Sequence, residues 1–589
     1  MDFDLPIEKH HTDVLIIGGG AAGTMAAFEC AEAGVDVIQV TKGRATSGTT
    51  TVARGGFAAA MSDDDSPELH LREILHHGGE LIDIDLARTW THDIIEVVED
   101  LMSWGADFVV KDDGRLDLKA FPNHSRPRAV HHYDTTGNAL TKVLSKRLRT
   151  DRRIVCHSLT SIADLVCEGG RVIGAWGVDY GRGVLVCYSA GEVILCTGGG
   201  SGLFYVNDNP PQVTGDGYVL GYRAGAALLG IEMIDFQAMC CSPKELFGFA
   251  PHPTGFINAG AVFRNQDGEE FLKRHFPETA EKSTRSEVIL AMAMEIHAGR
   301  AGLTGGIFMD ATQIPLETIR KQIPHVYKTC LHRGIDITRT PLEVAPGSHT
   351  WLGGLEIDTD GRTRVAGLWA AGETAGGIHG GNRIGGSALS SSLVFGRRAG
   401  RAAAAVVAAR GSNARPAAAI PEKDREWLKA LIAREEGPMQ ADVLMDCKML
   451  AHKKLGPIRD GRGCAEACRE YARLEQDILP RMRLSDAARK SEDVRGKELE
   501  SALGVKNLSL LGGLLGSAAL NREESRGAHY RLDFPSRDDQ NWRVVTRVQL
   551  GGDGQIDFST APVKPHERQP ADPEMVGGAH VERNDHQGR

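Results

Sequence analysis

The sequence predicts an α/β fold, in which a Rossmann-like domain is interrupted by an α+β insertion and followed by a helical domain. Three observations predict it. The chain opens on a strand–loop–helix–strand unit: Asp13-Val-Leu-Ile-Ile17, then Gly18-Gly-Gly-Ala-Ala-Gly23, a helical pattern over residues 24–33, and Val35-Asp-Val-Ile-Gln-Val40. Glycine-rich loops of the same kind return at residues 366–386, ahead of a helical run to about residue 410. Between these two parts, from about residue 231 to about 341, the pattern shifts to longer polar loops, more proline and a helix at 284–297.

Composition bounds the rest. A chain of 589 residues is too long for one core, and about 150 residues per domain suggests three or four units. Seventy glycines without a Gly-X-Y period exclude collagen and point to tight turns and close backbone approach to a ligand. A net charge of -10 is poor material for a nucleic-acid binder. The opening MDFDLPIEKHH carries no export signal, and the apolar stretches at 402–409 and 508–520 are too short, or too rich in glycine and serine, to span a bilayer. No direct membrane insertion is expected, and the cytoplasm is the expected location. The eleven cysteines do not read as a disulfide framework. Cys240-Cys241 and Cys464-x3-Cys468 lack iron–sulfur spacing, so no metal site is expected in this chain.

Each element has its own reason. Gly18, Gly20 and Gly23 have GxGxxG spacing between a strand and a helix. The first allows the turn, the second lets a pyrophosphate approach, and the third packs helix on strand. The helix then opens at Ala21-Ala22 with its positive end toward the diphosphate. An acidic ribose ligand is expected after the second strand, but Thr41-Lys42 stands there, so a hydroxyl must make that contact. A glycine-rich segment follows at 47–61, then an amphipathic helix at about 84–105 and strands at 153–157, 172–178 and 193–196, the last running into Thr197-Gly-Gly-Gly200. The expected units are 12–230 and 346–410 for the dinucleotide-binding domain and 231–345 for the insertion. A linker at 411–421, a helical domain at 422–525, a segment at 526–560 and a polar, disordered tail at 561–589 complete the chain.

Several longer motifs occur in order: Thr51-Val-Ala-Arg-Gly-Gly56, Asp134-Thr-Thr-Gly-Asn-Ala139, Thr197-Gly-Gly199 with Asn209-Pro210, Thr214-Gly-Asp-Gly217, Ala370-Ala-Gly-Glu373, His379-Gly-Gly-Asn-Arg-Ile-Gly-Gly386 and Ser525-Arg-Gly-Ala-His-Tyr-Arg-Leu-Asp-Phe-Pro535. With them the chain resembles the flavoprotein subunit of succinate dehydrogenase and fumarate reductase, together with L-aspartate oxidase. The resemblance runs to about Trp542. It implies FAD as cofactor, residues 231 to about 345 as a capping domain over the isoalloxazine, and an electron partner in the form of an iron–sulfur subunit. It also implies a place at the inner face of a membrane through partner subunits. The cofactor contacts expected on this basis are Gly18, Gly20, Ala21, Ala22, Gly23, Thr41, Lys42, Thr49, Thr50, Gly55, Gly56, Thr197, Gly198, Gly199, Asp216, Glu373, Ser387 and Leu389.

The chemistry implied is interconversion of a saturated carboxylic acid and its α,β-unsaturated partner, fumarate and succinate by default. Arg285 matches the family's proton donor, His349 its substrate histidine, and Arg383 the arginine that clamps the substrate carboxylate, a planar fork suited to that task. Three departures stand out. Thr49-Thr50 replaces a histidine that carries a covalent flavin link in many members, so FAD is expected to be non-covalent. After Glu232-Met-Ile-Asp-Phe236 the family's His-Pro-Thr triplet is Gln237-Ala238-Met239, and a His252-Pro-Thr-Gly255 lies downstream in another register. A relay arginine is Glu270. Gln237 and His252 are thus the candidates for the far end of the substrate. Two other readings stay open: an L-aspartate oxidase, whose glutamate for the substrate amine falls at Phe121 here, and a flavin-bearing electron relay without substrate turnover.

Overall fold

The computed structural model describes residues 5–121, 123–251, 256–257, 259–278, 285–411 and 417–563, and of Arg285 only the backbone. Its first sheet has seven strands. β1 (Ile7–Ile17) lies between β2 (Val37–Val40) and the long β8 (Val184–Leu195), all parallel. β5 (Ile154–His157) extends the sheet beyond β2, also in parallel. On its far edge β8 pairs antiparallel with β7 (Arg171–Asp179), which pairs with β6 (Thr160–Glu168). The last residues of β8 pair in parallel with β15 (Leu368–Ala370). A small ribbon of β3 (Phe57–Ala58) and β4 (Ala129–Val130) stands apart. The register aligns Ile17 with Val40 and Leu195, and Leu195 with Ala370, so four parallel strands end at one edge.

β1 starts at Ile7, ahead of the apolar run at 13–17, because residues 7–12 alternate in exposure while pairing with β8. Helix α1 (Ala21–Glu32) is buried over almost its whole length, between the sheet and a helix from the far part of the chain. That crossing is close: a Cβ at Gly396 or Gly400 would run into the backbone of Ala22 or Ala26.

The insertion has its own core and its own antiparallel sheet. Its strands are β10 (Ile234–Cys241), β11 (Val262–Arg264), β12 (Ile307–Asp310) and β13 (Leu342–Trp351), in the spatial order β10-β13-β12-β11, and helix α2 (Arg285–His297) packs on them. The sheet runs on to Trp351 rather than stopping at 345, since β13 must match the length of β10.

A third sheet was not expected. β9 (Leu228–Leu229), β14 (Gly354–Leu355), β16 (Val544–Leu550) and β17 (Ile556–Pro562) join both crossing points between domain and insertion to the C-terminal segment. The chain expected to be a polar tail from 561 is still paired at Pro562, and residues 564–589 lie outside the described residues. Helix α3 (Ser387–Arg410) matches the expected span. Helix α4 (Glu492–Asn521) is long and apolar enough to cross a membrane, and 72% of its most apolar window is buried inside the protein.

Buried charge ties the helical region to the other two parts. Lys42 Nζ lies 2.6 Å from Asp216 and 3.4 Å from Glu500, and Asn507 of α4 donates to Asp216 at 2.9 Å while accepting from Arg223 at 2.8 Å. Lys42, expected to stand ready for the cofactor, is therefore already paired. The fully buried Arg522 pairs with Glu232, the residue two before β10, at 2.8 Å. Removing the Asn507 amide strips a hydrogen bond from a buried carboxylate, a loss of about 1.5–3 kcal/mol. Asn507→Ala should lower the urea midpoint of the transition that reports the helical region, with circular dichroism at 222 nm as the readout.

Candidate functional site

The shared edge of the four parallel strands is where the expected cofactor residues collect. Gly18 leaves β1 at φ +132°, and a Cβ there would strike the Cys196 carbonyl at the end of β8. Gln39 donates to the Gly18 carbonyl at 3.0 Å and holds the turn from the side. Gly20 caps α1 with no side-chain hydrogen bond, and Ala21 N–H donates to Thr50 Oγ1 at 3.0 Å, so the 49–52 turn closes over the helix N-terminus. Thr41 ends β2 beside Gly19, Thr197–Gly199 ends β8, and Glu373 ends β15. Gly18, Gly20, Lys42, Thr49, Thr50, Gly56, Thr197, Gly198 and Glu373 keep partial exposure, and Gly55 is exposed, although the strands around them are buried.

These residues fit a flavin dinucleotide. The turn after β1 and the start of α1 suit a pyrophosphate. Gly198, at φ +79°, faces space with no atom within 4 Å of a Cβ position. Glu373 accepts from Trp351 N–H at 2.9 Å, and burial pushes its carboxyl up to about 7. At the start of α3, Gly386 is left-handed at φ 77° and caps the helix with no side-chain bond. The buried Ser387 hydroxyl has no partner among the described residues, and Leu389 is half-buried in the same first turn. Asp216 is spent on Lys42, Thr214 and Asn507, so its part in holding a cofactor is indirect.

The residues expected to hold substrate come from three segments. His349 sits where β13 bulges against β10: Thr350 pairs with Asp235 and Ser348 with Phe236, leaving His349 without an opposite residue. A bulge of this kind re-aims a side chain. His349 Nδ1 donates to Asp208 at 2.8 Å, and the carboxylate can only accept, so Nε2 is the nitrogen presented to a ligand. Asn209 bridges the His349 carbonyl at 2.8 Å to the Thr49 hydroxyl at 3.1 Å, tying the histidine to the flavin turn. Arg383, in the loop before α3, lies 3.1 Å from Asp235, with side-chain exposures of only 10% and 18%. Arg383, expected to clamp a substrate carboxylate, shares its charge with Asp235. His379 lies nearby and is kept neutral, its pKa lowered to about 3 by burial and by Arg383.

A second irregularity, on β10 between Gln237 and Cys240, stands opposite Pro346, which has no N–H to offer a ladder. Gln237 just before it is 8% exposed, and its carbonyl oxygen has no partner among the described residues. His252 and the Arg285 side chain lie outside the described residues. Phe121 packs against Gly385 and Gly386 at the mouth of the same loop, and His124 Nε2 donates to the Gly385 carbonyl at 3.0 Å. Sequence reasoning missed Asp208 and assigned Asp235 no role, although one adjoins Asn209-Pro210 and the other lies inside the Glu232–Phe236 run.

The chain matches the family described as FAD binding domain over residues 13–389 and the family described as fumarate reductase flavoprotein C-term over 445–575. It belongs to the succinate dehydrogenase and fumarate reductase flavoprotein family. FAD is its cofactor. A relative from Methanothermobacter marburgensis, named as one subunit of a fumarate reductase (CoM/CoB), is 32% identical over 548 residues, covering 90% of this chain and 95% of that one. An L-aspartate oxidase from Streptomyces coelicolor is 31% identical, covering 92% of each. Among solved structures, Mycobacterium smegmatis Sdh1 in complex with UQ1 matches at a TM-score of 0.84 and 32% identity, over 98% of this chain and 97% of that one.

Two outcomes follow for this site. Glu373→Gln should weaken FAD binding by tenfold or more, the loss of a charge-assisted hydrogen bond of about 1.5–3 kcal/mol, read by quenching of flavin fluorescence. Because the folded pKa of Glu373 lies above its ordinary 4.5, the folded apoprotein holds the extra proton between about pH 4.5 and 7. Its stability contribution therefore declines as pH rises through that window, and Glu373→Gln should flatten the corresponding slope of the urea midpoint against pH.

Proposed function

We propose that this chain is the flavin-bearing subunit of an oxidoreductase that interconverts a saturated carboxylic acid and its α,β-unsaturated partner, of the fumarate/succinate type. The observation that carries this reading is the pairing of His349 with Asp208 next to Arg383, at the edge where four strands and the start of α3 meet. FAD, when bound, supplies the hydride. The chain's own residues do the rest. Arg383 and the Nε2 edge of His349 hold one carboxylate of the acid, and Asp208 keeps the imidazole oriented. The same donors stabilise the charge that builds on the carboxylate side as the double bond is reduced. Arg285, at the first turn of α2, donates a proton to the carbon next to the hydride acceptor. A guanidinium is a weak acid, with a pKa above about 12, so it acts only when held against the developing carbanion and quickly reprotonated.

Names of relatives as subunits support an assembly, and the absence of iron–sulfur cysteine spacing in this chain supports an iron–sulfur protein as electron partner. The L-aspartate oxidase relative keeps amino-acid oxidation as the alternative. Phe121 beside Gly385 weighs against it, because an apolar ring there leaves the substrate amine without a carboxylate.

Purified holoprotein should oxidise a reduced dye when given fumarate or its monoamide, and a complete lack of turnover with both would favour the relay reading. Arg285→Lys should keep FAD bound and lower turnover by at least about a hundredfold. Asp208→Ala should raise KM by roughly tenfold or more with a smaller effect on kcat, since it frees the ring that holds the carboxylate. Acid precipitation should release the yellow chromophore into the supernatant, because Thr49-Thr50 offers no imidazole for a covalent link; a coloured pellet would contradict non-covalent binding.

A further inference from the structure

We infer that His124 is a positioning residue for the flavin: held in one tautomer by Arg128, it fixes the Gly385–Gly386 peptide so that the Gly386 N–H and the start of α3 are turned toward the cofactor. The inference rests on the place of the α3 start at the cofactor edge, and it holds whichever acid the protein turns over.

The peptide concerned has nothing of its own to orient it. Gly385 and Gly386 stand just before α3, and Gly386 is left-handed at φ 77°. A peptide plane between two glycines can turn over without a side-chain clash, so a partner must set its direction. The partner of the Gly385 carbonyl is His124 Nε2, at 3.0 Å. A trans peptide points its N–H away from its carbonyl, and the Gly386 N–H on that opposite side has no partner among the described residues. The buried Ser387 hydroxyl beside it has none either. Two donors left open side by side are a position that a ligand acceptor completes. Their surroundings say which ligand. A Cβ at Gly372, the neighbour of Glu373, would lie 3.0 Å from Ala22 Cβ and 3.3 Å from Ser392 Oγ, so the first turns of α1 and α3 meet at the end of β15. That is the edge where the cofactor residues collect.

His124 is itself firmly held. Its side chain and that of Arg128 are fully buried. Arg128 grips Asp65 with two bonds, of 2.6 and 2.7 Å, and its Nη1 donates both to Glu73 and to His124 Nδ1, the latter at 3.1 Å. A guanidinium only donates, so Nδ1 is the bare nitrogen and the ring proton sits on Nε2, facing the Gly385 carbonyl. Burial and the Arg128 charge lower the His124 pKa to about 4, which keeps the ring neutral. Ser125 donates to Glu73 through its N–H and its hydroxyl, so the backbone next to His124 is anchored to the same carboxylate.

The test compares two amides of different length in the FAD-loaded full chain. In His124→Asn the side-chain oxygen can still accept from Arg128, but the amide N–H falls short of Gly385. In His124→Gln the amide nitrogen takes the place of Nε2. The positive end of α3 favours the charge that a flavin gains on reduction, so a misdirected peptide disfavours the reduced form. His124→Asn should therefore weaken FAD binding, read by flavin fluorescence, by about fivefold or more, the loss of one hydrogen bond to the loop. It should lower the reduced-to-oxidised ratio against a reference dye by the same factor, which is about 20 mV for two electrons. His124→Gln should stay within about twofold of the wild type in both quantities. A merely structural role moves the two variants alike, so equal values in Asn and Gln, at the wild-type level or away from it, overturn the proposal. Thermal midpoints report folding. If His124→Asn does not fold, nitrogen NMR of the wild type labelled at its histidine rings decides. The signal lost in His124→Gln should belong to a neutral ring with its proton on Nε2 between about pH 6 and 8. A ring protonated on Nδ1 overturns the proposal.

Discussion

Four parallel strands can end side by side at one edge only because the residue leaving β1 has no side chain. Gly18 turns at φ +132° directly against the Cys196 carbonyl just past β8, and any Cβ would run into that carbonyl. The whole site hangs on that contact. It sets where α1 starts, directly after that turn. It also brings the ends of β2, β8 and β15, with Thr41, Thr197–Gly199 and Glu373, within reach of one extended ligand. A second close approach, of Gly396 and Gly400 on α3 to the backbone of α1, fixes the other wall, so that the start of α3 faces the same edge. Both contacts exploit the size of glycine to bring backbone dipoles to a ligand.

At the site and between the parts of the chain, ionisable side chains are held in pairs. His349 with Asp208, Arg383 with Asp235, Lys42 with Asp216 and Arg522 with Glu232 each join distant parts of the chain. An unpaired buried charge is strongly unfavourable, whereas a paired one holds two elements in a defined relation. At the substrate end this has a chemical consequence. Arg383, expected to hold an acid, is kept in a mostly buried place by the Asp235 carboxylate, which lowers the charge it can offer a ligand.

Shape at that end comes from two irregularities in one strand pair. Between β10 and β13, the bulge at His349 aims the imidazole away from the ladder, and the break after Gln237 falls opposite Pro346. The strand pair belongs to the insertion, while Arg383 and Glu373 belong to the first domain. The candidate site is therefore built across the junction, and the third sheet, with β9 and β14 at the two crossings and β16 and β17 from the C-terminus, braces it.

The sequence by itself determined the local pieces. The strand–loop–helix at residues 13–33, the span of α3, the apolar ends of β8 and β15 and the glycine turns were legible because apolar periodicity and glycine conformations act over a few residues. The resemblance carried by motifs such as His379–Gly386 then pointed to FAD, Glu373, His349 and Arg383. Only the tertiary structure decided what those residues face. Asp208 is 141 residues from His349, and Asp235 is 148 from Arg383, so no local pattern could join them. The engagement of Lys42 by Asp216, the bulge that turns His349 and the third sheet are of the same kind. Each depends on the register between segments far apart in the chain, and register is set by packing of the assembled core rather than by the preferences of either segment alone.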